Sequence, residues 1–163
     1  MKVEDIMTKE VVSVDPKTKI SEVAKMMIDH NFRGIPVVED GALVGMITEN
    51  DFLTRDFEKL HIPSLIKILE DLKISKYFPE KAGNLKEILS ADASSIMSID
   101  AVTIRPDEKV TNLIRLIQEK KVNPIPVVDE NKKLLGIVSK ADVLGLVGKF
   151  REEEVDFIAG EKK

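Results

Sequence analysis

Arg33-Gly34-Ile35-Pro36-Val37-Val38 recurs later in the chain as Asn123-Pro124-Ile125-Pro126-Val127-Val128. The neighbours of this stretch recur with it. Each copy follows an amphipathic segment and precedes a run that ends Gly-x-x-[Thr/Ser]-x-x-Asp: Gly45, Thr48 and Asp51, then Gly136, Ser139 and Asp142. A turn and strand that repeat together with their surroundings mark a duplicated structural unit rather than a chance motif.

The first copy begins at Ile6-Met7-Thr8, and Val11-Val12-Ser13-Val14 reads as a short β-branched strand. Asp15-Pro16-Lys17-Thr18 is turn chemistry, with Thr18 as the expected N-cap. Ile20, Val23, Ala24, Met27 and Ile28 fall at helical spacing and predict a helix over 19–30. Gly34 is the expected positive-φ residue after it. Ile35 to Val38 is a strand, and Pro36, lacking an N–H, places its ladder side at a start or an edge. Glu39-Asp40-Gly41 is a hairpin signal. Residues 42–47 form the next strand, and Thr48 caps a second helix with Asp51 in its acidic first turn. The second copy has the same order: Ile96-Met97-Ser98; Val102-Thr103-Ile104-Arg105-Pro106; Val110, Leu113, Ile114 and Ile117; and a hairpin one residue longer at Asp129-Glu130-Asn131-Lys132. The repeats span 6–53 and 96–144 with element order βαββα.

The expected organisation is repeat one over 1–58, a helical insertion over 59–95, repeat two over 96–150 and a C-terminal helical tail over 151–163. The insertion has no counterpart. Pro63 opens a helix there whose face carries Leu65, Ile66, Ile68, Leu69 and Leu72. The chain of 163 residues is 43% apolar and 33% charged, an ordinary soluble composition, and its high Lys/Glu content suits a thermophilic source. A net charge of −4 offers no field for nucleic acid or anionic membrane. No apolar run reaches a membrane span and no signal sequence is read, so the expectation is a cytoplasmic protein. With no cysteine there is no disulfide or thiolate site. His30 and His61 lack the partners for zinc. No Ser-His-Asp set and no glycine-rich phosphate loop is found, so no catalytic residue is assigned and no enzyme is expected. The methionines Met7, Met26, Met27, Met46 and Met97 lie on apolar faces and are read as packing.

The repeated features together resemble the cystathionine β-synthase (CBS) domain, which occurs in tandem. The resemblance implies an α+β, pseudo-twofold pair with small sheets packed face to face. It also implies two clefts between repeats that bind adenosine-containing ligands (AMP, ADP, ATP, S-adenosylmethionine or a dinucleotide of the NAD type), homodimeric assembly, and a regulatory role toward an effector protein. Carried over residue by residue, the first cleft comprises Val12, Phe32, Arg33, Gly34, Pro36, Met46, Thr48 and Asp51. The second comprises Asp100, Val102, Val122, Asn123, Pro124, Pro126, Ile137, Ser139, Lys140 and Asp142. Asp51 and Asp142 would hold ribose, Thr48 and Ser139 ribose or phosphate. Backbone at Val12 and Val102, and at the residues before each Ile-Pro-Val-Val, would frame adenine, and Met46 and Ile137 would wall it.

Elementary chemistry supports the same site. One carboxylate can accept hydrogen bonds from both hydroxyls of a ribose. The same spacing also serves as a plain helix cap. The copies differ where a ligand's tail would lie: Glu49 against Lys140, Arg33 against Asn123, Gly34 against Pro124. Lys140 would attract a phosphate and Glu49 repel it. The second repeat is therefore expected to take a phosphorylated nucleotide, and the first a neutral or cationic adenosine derivative such as S-adenosylmethionine. A structural scaffold with vestigial clefts is the alternative function.

Overall fold

A computed structural model describes residues 1–53 and 90–148. The helix expected after Pro63 and the C-terminal tail helix lie outside these residues. The first repeat contains α1 (Ile20–Asp29), β1 (Gly34–Glu39), β2 (Ala42–Thr48) and α2 (Glu49–Leu53). The second contains α3 (Val110–Lys120), β3 (Ile125–Val128), β4 (Leu134–Val138) and α4 (Lys140–Val147). Each repeat has one two-stranded sheet, β1–β2 or β3–β4. The architecture is α+β, with small sheets and helices as the repeat pattern requires.

Local chemistry explains the first sheet. β1 and β2 run antiparallel, with Ile35 opposite Ile47 and Pro36 opposite Met46. Asp40 (φ 50°) and Gly41 (φ 81°) both take positive φ, the requirement of a two-residue type I′ hairpin. The Pro36 carbonyl accepts from Val14 N–H at 3.0 Å. In a strand a residue's N and C=O face the same side, so the missing Pro36 N–H lies away from β2 and costs the ladder nothing. Pro126 repeats this with Ile104 N–H at 3.1 Å.

The described chain divides into two compact units. One comprises Val12–Ala101 with Glu130–Leu134, and the other Met1–Val11, Val102–Asp129 and Leu135–Lys163. Each unit thus holds one repeat together with the arm that precedes the other repeat. In the first-repeat unit, Ala93 N–H donates to Thr18 O at 2.7 Å, and Ser98 and Met46 exchange two backbone bonds of 2.8 and 3.0 Å. In the second-repeat unit, Val3 N–H donates to Glu108 O at 2.8 Å, and Thr8 and Ile137 exchange two bonds of 2.9 Å. The arms also supply core. Ala93 and Ile96 join Val14, Ile20, Val23, Met27, Ile35, Val37 and Ile47, while Val3 joins Ile104, Leu113, Ile117, Ile125, Val127 and Val138. Fully burying one such aliphatic side chain stabilises by about 1.5–3 kcal/mol, so an arm is part of the core it completes.

Three local expectations are corrected. Val11 to Val14 is not a strand; Val14 makes one parallel bridge to Val37, and Val12 is exposed. The turn at Asp15 and Pro16 leads the chain away after that bridge. Ile104 and Val127 repeat the arrangement. Thr18 does not cap α1, whose N-cap is Lys19 with no side-chain bond. The Thr18 hydroxyl instead accepts from Asp15 N–H at 3.1 Å, inside the Asp-Pro turn. Gly34 does not take positive φ. Asn31 does, at 54°, and Lys121 does so at the matching place in repeat two. Asparagine tolerates the left-handed region because its short polar side chain can bond locally. Gly34 is left to begin β1, so the proposed φ conflict with Pro124 does not arise. The Asn123–Pro124 bond is cis.

Candidate functional site

Each repeat presents a carboxylate at the start of the helix that follows its second strand. In the first, β2 ends at Thr48 and the chain turns directly into α2. The Thr48 N–H donates to Asp51 Oδ2 at 2.7 Å, and the Thr48 hydroxyl donates to the same oxygen at 2.8 Å. In the second, Ser139 N–H and hydroxyl both donate to Asp142 Oδ2 at 2.7 Å. The spacing of three residues does this: it returns the carboxylate to the residue before the helix, satisfying an amide that has no partner inside the helix. The capping interpretation of these residues is therefore realised. An ionised carboxylate offers about four acceptor positions, so a carboxylate fixed this way can serve a cap and a diol together.

The two carboxylates differ in surroundings. Asp51 is only 7% exposed, whereas Asp142 is half-buried. The Ser98 hydroxyl approaches Asp51 Oδ1 at 3.5 Å, long for such a donor. Ser98 was not among the expected site residues. The signal was the recurrence of Ile-Met-[Thr/Ser] ahead of both repeats, which reads as a lead-in to a strand until the arm pairing is known.

The residues preceding each Ile-Pro-Val-Val connect to the helix start by different means. Glu49 N–H donates to the main-chain carbonyl of Arg33 at 3.1 Å. Lys140 N–H donates to the side-chain Oδ1 of Asn123 at 2.8 Å. Arg33, Glu49 and Lys140 are exposed, and Asn123 is half-buried. Phe32 is half-buried and stacks on the His30 ring, with centroids 5.0 Å apart. Gly34, Pro36 and Met46 are buried, as is Pro126 in the second repeat. Val102, Val122, Pro124 and Ile137 are half-buried.

All eight residues expected at the first cleft, including Val12, belong to the first-repeat unit. Nine of the ten expected at the second belong to the second-repeat unit, and Asp100 does not: it is exposed and lies in the first-repeat unit with the arm that carries Ser98. The motif glycines have a defined role. A Cβ on Gly45 would come within 2.7 Å of Met97 Sδ, and one on Gly136 within 2.6 Å of Met7 Sδ and 3.0 Å of the Thr8 carbonyl. Glycine is required because the arm methionine lies directly on the strand backbone. Among the described residues no cluster of three or more His, Cys, Asp or Glu side chains could hold a metal ion. No described helix is long and apolar enough to cross a membrane.

The CBS domain family model matches residues 3–58 and 93–149. The chain is 30% identical over 142 residues to protein MJ1225 of Methanocaldococcus jannaschii, spanning 87% of this chain and 45% of that one. The crystal structure of MJ1225 superposes with a TM-score of 0.71, covering 90% of this chain and 47% of that one. Protein MJ1426 of the same organism is 28% identical over 151 residues, spanning 88% of this chain and 89% of that one. The chain thus spans less than half of MJ1225 and most of MJ1426. A crystal structure of the CBS domain pair of protein MJ0100, in complex with 5′-methylthioadenosine and S-adenosyl-L-methionine, is 26% identical with a TM-score of 0.64. The match covers 91% of this chain and 96% of that one. Two complete copies of the motif, two helix-start carboxylates and these matches give one conclusion: the chain belongs to the CBS domain family and carries the domain twice.

Proposed function

We propose that this chain is a regulatory module that binds adenosine-containing ligands and signals to a separate effector, with no catalytic step of its own. The observation that carries the reading is the likeness, over nearly the whole of that pair, to a CBS pair holding 5′-methylthioadenosine and S-adenosyl-L-methionine. The paired Thr48–Asp51 and Ser139–Asp142 groups support it, since a fixed carboxylate at a helix start suits a ribose diol. In this reading Asp51 and Asp142 hold ribose, Thr48 and Ser139 steady them, and Lys140 favours a phosphorylated ligand in the second repeat. A ligand that binds only the folded state raises its stability by mass action, about 2.7 kcal/mol at a hundredfold excess over Kd. The test is thermal unfolding with AMP, ATP, S-adenosyl-L-methionine and 5′-methylthioadenosine at millimolar concentration. At least one should raise the midpoint in a concentration-dependent way; no shift with any of them would refute the reading.

A second reading, a dimerisation scaffold with vestigial clefts, rests on one observation: both carboxylates already act as caps for their own helices. It predicts a stable dimer by sedimentation whose mass and midpoint ignore every adenosine compound.

A further inference from the structure

We propose that the first-repeat site takes an adenosine derivative whose 5′ substituent ends in an α-amino acid, with Glu49 receiving the ammonium and Arg33 the carboxylate. This rests on the adenosine reading above and narrows the ligand class at one of the two sites. Arg33 immediately precedes β1 and Glu49 opens α2. The 3.1 Å bond from Glu49 N–H to the Arg33 carbonyl holds the two backbones together. Both side chains are exposed, and among the described residues neither takes part in an ion pair. Glu49 directly follows Thr48, whose N–H and hydroxyl fix Asp51. A cation and an anion therefore flank the diol-binding carboxylate.

The second repeat lacks this pair. Asn123 stands where Arg33 does, and its Oδ1 is engaged by Lys140 N–H at 2.8 Å. The remaining charge at those two positions is the Lys140 ammonium, which suits a purely anionic tail. At the first repeat a phosphate would be attracted by Arg33 and repelled by Glu49. A zwitterionic tail satisfies both. The guanidinium fork matches a carboxylate in two-point geometry, and Glu49 accepts from the ammonium. Methylthioadenosine has no such tail, and AMP carries only negative charge there.

Calorimetric titration of the whole chain tests the assignment. The probes are S-adenosyl-L-methionine, its thioether analogue S-adenosylhomocysteine, 5′-methylthioadenosine and AMP. The proteins are the natural chain and the Arg33→Gln, Glu49→Gln and Glu49→Lys variants, each also in an Asp142→Asn background that silences the second site. Both positions are exposed, so the variants should unfold at the natural midpoint, which circular dichroism verifies. Losing one charge-assisted contact should weaken both amino-acid-bearing probes about tenfold and leave methylthioadenosine within about twofold. The thioether probe should lose as much as the sulfonium probe, because the contact is to the amino acid and not to the sulfur charge. Glu49→Lys should turn the preference of the first site toward AMP. Equal changes for tailed and tailless probes, or no change in any, would overturn the assignment while leaving the adenosine reading intact. No binding of any probe to the natural chain would overturn both.

Discussion

Asp51 at the start of α2 is 7% exposed, while Asp142 at the start of α4 is half-buried, although both are held by the same pair of donors from the residue three positions earlier. The connection behind each carboxylate also differs: a main-chain carbonyl at Arg33 in the first repeat, a side-chain amide at Asn123 in the second. The repeat preserves the cap, which the fold needs. It varies the charged residues around the cap, which the fold does not need. Duplication has kept one structural device and left two sites that differ in the sign and number of their exposed charges.

The largest expected contrast concerns the arms. Ile96 is fully buried in the first-repeat core, whereas Ile6 only borders the second. Ile96→Ala should destabilise by about 2–5 kcal/mol, the range for opening a cavity at a buried isoleucine. Ile6→Ala should cost clearly less. Urea denaturation measures both, and equal losses would show that the arms are packed alike.

The motif glycines come next. Gly136→Ala would press against both Met7 and the Thr8 carbonyl, while Gly45→Ala meets only Met97. A methionine side chain can move aside, but a backbone carbonyl in a two-bond bridge resists. Gly136→Ala should therefore cost more, within the roughly 1–3 kcal/mol typical of overpacking. Met97→Ala should recover much of the Gly45→Ala loss, whereas Met7→Ala should recover little of the Gly136→Ala loss. Thermal midpoints of the single and double variants check this.

A smaller contrast separates Asn123 from Arg33. Asn123→Ala removes the acceptor for Lys140 N–H and should cost about 1 kcal/mol. Arg33→Ala leaves its carbonyl bond to Glu49 in place and should not shift the midpoint measurably. Matching losses would mean that the Arg33 side chain supports the fold, which would weaken its assignment to a ligand.

Much of this architecture is legible in the chain because it is local. The stripe at Ile20, Val23 and Met27 defines α1, Asp40-Gly41 defines the hairpin, and the spacing of Thr48 and Asp51 defines the cap. What is not legible depends on distant partners. The same Ile-Met-[Thr/Ser] precedes both repeats, so nothing local says that each arm completes the unit of the other repeat. For the same reason Ser98 escaped assignment to the site: it lies 47 residues from Asp51 along the chain. The Asn123 amide, whose partner is Lys140, was expected to frame adenine and proves to brace a helix. The positive φ assigned to Gly34 failed because residue preference alone does not choose between neighbouring turn positions, and Asn31 took that role.

The central claim is that these two carboxylates bind adenosine ligands and that the repeats divide the ligand types between them. Titrating AMP into the natural chain and into the Asp51→Ala and Asp142→Ala variants tests it most directly. The account predicts that AMP binding is lost in Asp142→Ala and retained in Asp51→Ala. Loss only in Asp51→Ala, or undiminished AMP binding in both variants, would contradict it.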